Sequence, residues 1–281
     1  LNALKISGRD KDGLGIGFLN AITEKTTATV TNDDNDETRN IEVSPLTNYN
    51  VMVFDQRFNQ NSSVTFINTN VTRNGSFRDA NVTGLLFDLN NKTNKYNISG
   101  GIKSSSINDI ENTNGINASL YFGETSGKFR YSFGGDYISK DFDNNDLGIN
   151  FRTNYYSVYN NANYRILNPN KTFNTFRINF NSYFEFYKPT NQIQSSNFNV
   201  NLNSTNKKNH YFGGGLNFNP FENYDYYEPR VANRYFVNPK NAGGTSISYI
   251  KGIILGIPVV CQIPSSIGIN IPVCRRRPEI K

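Results

Sequence analysis

Between Phe173 and Tyr187, apolar and polar residues alternate almost without a break. Even positions read Phe176, Ile178, Phe180, Ser182, Phe184 and Phe186, and odd positions read Thr175, Arg177, Asn179, Asn181, Tyr183 and Glu185. A period of two sends successive side chains to opposite faces, which predicts a strand with two chemically different faces. The run is long for a soluble domain, where strands average about 5–6 residues, and long enough for a bilayer, which needs roughly 9–11. Phenylalanine on one side with Arg, Asn and Glu on the other suits a wall between lipid and a wet lumen.

The same plan repeats upstream and downstream: an alternating run, a polar turn, another run. Tyr49 to Phe58 and Ser63 to Arg73 flank a turn at Asn59–Ser62, and Asn74-Gly75 follows. Asn-Gly is a strong hairpin signal because both residues tolerate positive φ. Ala80 to Leu89 is followed by a turn at Asn90–Asn94 and a Gly- and Ser-rich strand at Tyr96–Ser106. Asn114-Gly115 is predicted to turn the chain, as is Ser126-Gly127 between runs centred on Leu120 and Tyr131. Asp143-Asn144-Asn145-Asp146 reads as a polar tip before a strand over Asn150–Leu167. Phe198, Val200 and Leu202 then alternate with Asn197, Asn199, Asn201 and Asn203, and Phe212 to Phe218 repeats the theme. From Thr47 to Tyr226 the hairpin rules give roughly ten to twelve strands. So long a meander must close or leave edges that aggregate.

The expected fold is therefore all-β, an antiparallel up-and-down transmembrane β-barrel, complete or partial, with long strands and Asn/Gly/Asp-rich turns. Three regions are expected. Residues 1–46 are an entry segment, with a strand at Leu14–Phe18 and an acidic loop at Asn32–Glu37. Residues 47–228 are the barrel strands. Residues 229–281 form an atypical tail, where Ile253–Ile271 has neither strand nor helix period and Arg275-Arg276-Arg277 follows. That tail reads as truncated or non-native sequence. The opening at Leu4-Lys5-Ile6-Ser7 falls mid-pattern, as in a piece of something longer, and any export signal is expected to lie outside it.

Composition narrows the function classes. No run approaches the roughly 18 apolar residues of a membrane helix. Mean hydropathy is that of a water-soluble chain, but only alternate residues of a barrel strand meet lipid. The 21 Phe and 17 Tyr among 281 residues favour strands and membrane interfaces, and an AT-rich genome inflates the same residues. A net charge of +6, spread along the chain, makes no nucleic-acid footprint. Cys261 and Cys274 define no disulfide framework or zinc site.

Catalytic devices are not found: no G-x-S-x-G, no H-E-x-x-H and no P-loop, with His210 the one histidine. Asp141 to Asp146 places oxygens at alternate positions as calcium loops do, yet lacks the glycine and glutamate such loops use. A solvated loop tip is the stronger reading. Tyr224, Tyr226 and Tyr227 beside Asp225, Glu228 and Arg230 read as an interface belt before a sugar platform.

Pro45-Leu46-Thr47-Asn48-Tyr49-Asn50-Val51, Asp55-Gln56, Asn61-Ser62-Ser63-Val64 and Asn68-Thr69-Asn70-Val71 carry a more specific signal. With Ser7-Gly8-Arg9, Gly13-Leu14-Gly15-Ile16-Gly17, Asn81-Val82-Thr83-Gly84 and Tyr226-Tyr227-Glu228-Pro229-Arg230, they resemble the C-terminal region of Bacteroidota proteins of the DUF5916 family. The resemblance covers roughly residues 1–244. It implies an outer-membrane β-barrel that ordinarily follows an N-terminal sandwich similar to carbohydrate-binding module family 9. Polysaccharide contact would belong to that module and to no residue of this chain.

The expectation is thus a non-enzymatic outer-membrane β-barrel piece of a Gram-negative cell envelope, without cofactor. It anchors a carbohydrate-binding-like module and passes or gates a solute. Its partner is outer-membrane lipid, met by Phe176, Ile178, Phe180, Phe184, Phe186, Phe198, Val200 and Leu202. Arg177, Asn179, Asn181 and Glu185 face the lumen. The competing expectations are a soluble all-β carbohydrate-binding protein, with shorter strands and apolar faces hidden between sheets, and a glycan-active hydrolase component with a converging carboxylate pair.

Overall fold

The computed structural model describes residues 2–31, 37–225, 228–229, 234–250 and 260–263. All regular structure among them is β. Two compact units are formed: residues 1–121 with 136–155, and residues 122–135 with the described residues from 156 onward. The division falls between Tyr121 and Phe122, between Gly135 and Asp136, and between Tyr155 and Tyr156.

The first unit holds β1 (Asn2–Arg9), β2 (Leu14–Thr23), β3 (Thr26–Thr31), β4 (Thr38–Ser44), β5 (Thr47–Phe58), β6 (Ser62–Arg73), β7 (Asp79–Asn90), β8 (Tyr96–Asn108) and most of β9 (Thr113–Glu124). Its sheet runs β1-β2-β5-β6-β7-β8-β9, and each pair from β1 to β8 is antiparallel. The interruption is the separate hairpin β3–β4. Among the described residues β1 has β2 as its one sheet partner, so no described pairing closes the sheet at that edge.

The second unit holds most of β10 (Phe129–Ile138), with β11 (Tyr155–Ile166), β12 (Phe173–Tyr187), β13 (Gln192–Asn206), β14 (Tyr211–Asn219), β15 (Asn223–Asp225), β16 (Phe236–Asn238), β17 (Asn241–Ile250) and β18 (Val260–Ile263). Its sheet runs β10-β11-β12-β13-β14-β17-β18, with β15–β16 apart as a small hairpin. The pairs from β12 onward are antiparallel. Among the described residues eleven strands lie between Thr47 and Asp225, within the ten to twelve expected.

Most connections are the tight turns that the polar clusters predict. Asn59 (φ 47°) and Gln60 (φ 69°) turn β5 into β6, and Gly75 (φ 89°) follows β6. Asn91 Oδ1 accepts the amides of Lys95 and Tyr96 at 2.7 and 3.0 Å, closing the next turn on itself. Such side-chain acceptors satisfy backbone donors that the ladder leaves open.

Two expectations are corrected. Asn114-Gly115 does not turn the chain; both lie inside β9. A Cβ on Gly115 would sit 2.2 Å from the Phe142 backbone, so this glycine admits a close neighbour. The strand expected from Asn150 begins instead at Tyr155. The β3–β4 hairpin was invisible to periodicity because nearly all of it is solvent-exposed on both faces. Residues 32–36 of the acidic loop, Tyr226, Tyr227, Arg230 and the Ile253–Ile271 segment apart from 260–263 lie outside the described residues, as does Cys274.

Candidate functional site

Few apolar side chains are fully buried among the described residues. Among the described residues the fully buried apolar ones are Val71, Ala80, Ile107, Ile138 and Phe142. Fully buried polar residues include Thr47, Ser105, Ser157, Ser182, Glu185 and Ser196. Many large apolar residues are exposed, and those in β1, β2 and β5–β8 share one face of the first unit's sheet. Register aligns them across the first unit: Ile6 faces Phe18, Ile16 faces Phe54, Phe54 faces Phe66, Phe66 faces Leu85, and Leu85 faces Ile102. Leu85 is 51% exposed and Ile102 50%. Scattered surface apolar residues are ordinary, but a contiguous face of this extent marks an interaction surface.

An amide fringe borders this face. Asn20 Nδ2 donates to Asn48 Oδ1 (2.6 Å) and Asn50 Oδ1 (2.9 Å). Asn68 Nδ2 donates to Asn81 Oδ1 (3.2 Å) and Thr83 Oγ1 (2.8 Å). These residues share parity with Phe18, Phe54, Phe66 and Leu85, so they lie on the same face.

In the second unit the eight residues expected to meet lipid are brought together. Ile178 pairs with Leu202, Phe180 with Val200 and Ser182 with Phe198. Phe198 packs its ring against Phe180, Phe184 and Phe218 at centroid distances of 6.2, 5.2 and 5.0 Å. Phe176 and Phe186 lie at the two ends of the same row, Phe186 stacking on Tyr156 at 4.9 Å. Ile178 is exposed and the other seven are half-buried.

The residues expected on the lumen side occupy the opposite face. Arg177 pairs with Asn203, Asn179 with Asn201 and Asn181 with Asn199. Asn161 Nδ2 donates to Asn179 Oδ1 (2.8 Å) and Asn181 Oδ1 (2.7 Å), and Asn181 Nδ2 donates to Asn199 Oδ1 (3.2 Å). Asn201 donates to Asn199, and Asn197 to Asn217. Cross-strand polar pairs of this kind hold register and keep the face hydrophilic. Glu185 shares that face but is fully enclosed, with the Tyr183 hydroxyl donating to its Oε2 at 2.6 Å.

The largest feature missed by sequence reasoning is a seat for the 139–154 segment on the face of the first unit's sheet opposite Phe54, Phe66 and Leu85. Val71, Ala80 and Ile107 stand side by side by register, beneath Thr47 and beside Ser105. The segment is stitched over that end. Ile116 N donates to Ser139 Oγ (2.8 Å), Ser139 N donates to Ile116 O (2.9 Å), and Asp143 N donates to Ser105 Oγ (3.0 Å). Phe142 lies against Gly115 and is fully buried.

Two arginines lock the segment. Arg73 Nη2 reaches Asp146 Oδ1 at 2.6 Å, and Arg78 Nη2 reaches Asp146 Oδ2 at 2.6 Å and Asp143 Oδ2 at 2.9 Å. Asp143–Asp146 is therefore not the solvated tip that the sequence suggested; its carboxylates neutralise guanidinium groups instead of awaiting a cation. Burial pushes the Asp143 carboxyl up, but the Asn145 amide and the Arg78 guanidinium outweigh it and hold it below the usual carboxylate value. Burial likewise disfavours the Arg78 charge, and hydrogen bonds to Asp146 and Asp143 reverse that effect and raise its pKa. Among the described residues no cluster of three or more His, Cys, Asp or Glu could hold a metal. His210 stands just before β14, its Nδ1 3.2 Å from the Tyr249 hydroxyl.

These features define an antiparallel all-β protein, with an exposed apolar face on the first unit's sheet and a row of hydrogen-bonded asparagines on one face of the second unit's sheet. The chain belongs to the DUF5916 family, described as a domain of unknown function, whose model matches residues 1–249. No curated protein and no solved structure matches it.

Proposed function

We propose that this chain is the membrane-embedded β-barrel region of an outer-membrane protein of a Bacteroidota-type cell envelope. It anchors an N-terminal carbohydrate-binding-like module and passes a solute along its polar face. The observation that carries the reading is the exposed apolar face running through Phe18, Phe54, Phe66, Leu85 and Ile102 in the first unit. In water such a face costs about 25 cal/mol for each Å² left uncovered; against hydrocarbon it costs nothing. Strands of 12 to 15 residues, as in β5–β7 and β12–β13, exceed the roughly 9–11 that cross a bilayer. Asparagine amides bordering the face suit the headgroup boundary, where backbone and side chains regain water. Anchoring is the better supported role, because the described polar face carries no ring of like charge.

Partition of the purified chain between buffer and lipid vesicles tests this reading. The expected result is insertion, with a protease-resistant β form that migrates faster on a gel unless boiled. A monodisperse protein in detergent-free buffer with no affinity for vesicles would overturn it.

A further inference from the structure

We propose that the 139–154 segment is a displaceable plug seated on the face of the first unit's sheet opposite Phe54, Phe66 and Leu85, held there by Arg73 and Arg78. Three observations support it. The segment is long for a connection in a meander, where loops of about 2–5 residues suffice, and it folds back onto the sheet it leaves. Of the five fully buried apolar residues among those described, Phe142 belongs to the segment and Ile138 immediately precedes it, and Val71, Ala80 and Ile107 each lie two residues from a residue that binds it, Arg73, Arg78 or Ser105. Among the described residues the first unit's sheet thus buries apolar side chains beside this seat and exposes apolar ones on its opposite face. Finally, the seat is incompletely satisfied. Arg78 Nε, Asn144 Oδ1 and Asn150 Nδ2 are buried without a protein hydrogen-bond partner.

That combination suits two states of similar stability. Apolar burial and three ion-pair contacts favour the seated state, and the unmade hydrogen bonds oppose it. Release would expose Ser105 and the two guanidiniums to water and break the bonds of Ser139 to Ile116 and of Asp143 to Ser105. The seat itself follows from the geometry of the first unit. That its release opens a solute path rests on the membrane reading above.

The test uses the full chain with Asp143→Asn plus Asp146→Asn, which keep shape and remove charge, and separately with Arg78→Gln. Trypsin cuts after Lys140 and Arg152 report the segment, because cleavage requires local opening. Planar-bilayer conductance reports the path. Both variants are expected to keep the heat-sensitive β form, to be cut about tenfold faster or more, and to conduct more than the parent chain. Unchanged cutting and conductance in inserted variants would overturn the plug. Loss of the β form in both variants would also overturn it, showing the segment to be a fixed part of the fold. If the parent chain does not insert, the solute path falls with the membrane reading. Unchanged cutting would then show separately that the seat is not held by these charges.

Discussion

Replacing Leu85 by Arg is expected to cost about 2–4 kcal/mol of folding stability in vesicles, the range for a basic residue near a bilayer midplane on a barrel's outer face. Leu85 is near the middle of β7, between Phe66 and Ile102, and half its surface is uncovered by protein. The position separates two accounts. If water bathes this face, an arginine there is an ordinary surface change within about 0.5 kcal/mol. If hydrocarbon bathes it, the guanidinium must be desolvated or drag water into the bilayer. The chain has no Trp, so the folded fraction is best followed in urea by its unheated gel mobility. A midpoint that does not move would contradict lipid contact at Leu85.

Gly115→Val is expected to have the second large effect. The Phe142 Cα and N are 2.2 Å from the position of a Cβ, and the Asp141 carbonyl carbon is 2.4 Å away. All are backbone atoms, so no side-chain rotation relieves the clash. Overpacking of this sort costs about 1–3 kcal/mol, or the segment leaves its seat. Either way, cutting after Lys140 accelerates. Gly17→Ala is the control, because its Cβ would meet only Val53 Cβ at an ordinary 3.7 Å. Equal behaviour of the two variants would show that Phe142 does not pack on β9.

The contrast between two Asn-Gly pairs shows what could be read from the chain. Asn74-Gly75 follows a strand and Gly75 takes φ 89°, so local chemistry decided its structure. Asn114-Gly115 has the same residues but lies in β9, because Phe142 needs the space a side chain would fill. The first cause is local; the second acts from 27 residues away and leaves no periodic trace. Strand β12 was legible to its end residues because its alternation is strong on both faces. The arginine lock was not legible, since its partners are 65 to 73 residues apart. Its only sequence signal was a pair of carboxylates in a turn, which reads equally as a solvated tip. The asparagine rows were visible as alternation in β13, but which amide bonds which is set by register with β12 and β14.

The most direct test of the central claim is a nitroxide scan, one label at a time, from Thr175 to Phe186 in vesicles. Labels at Phe176, Ile178, Phe180, Phe184 and Phe186 are expected to be relaxed by oxygen, which concentrates in lipid. Labels at Arg177, Asn179 and Asn181 are expected to respond to a water-soluble nickel chelate. A period-two exchange between the two relaxers is the predicted result. Uniform access of the water-soluble relaxer to both faces would contradict it.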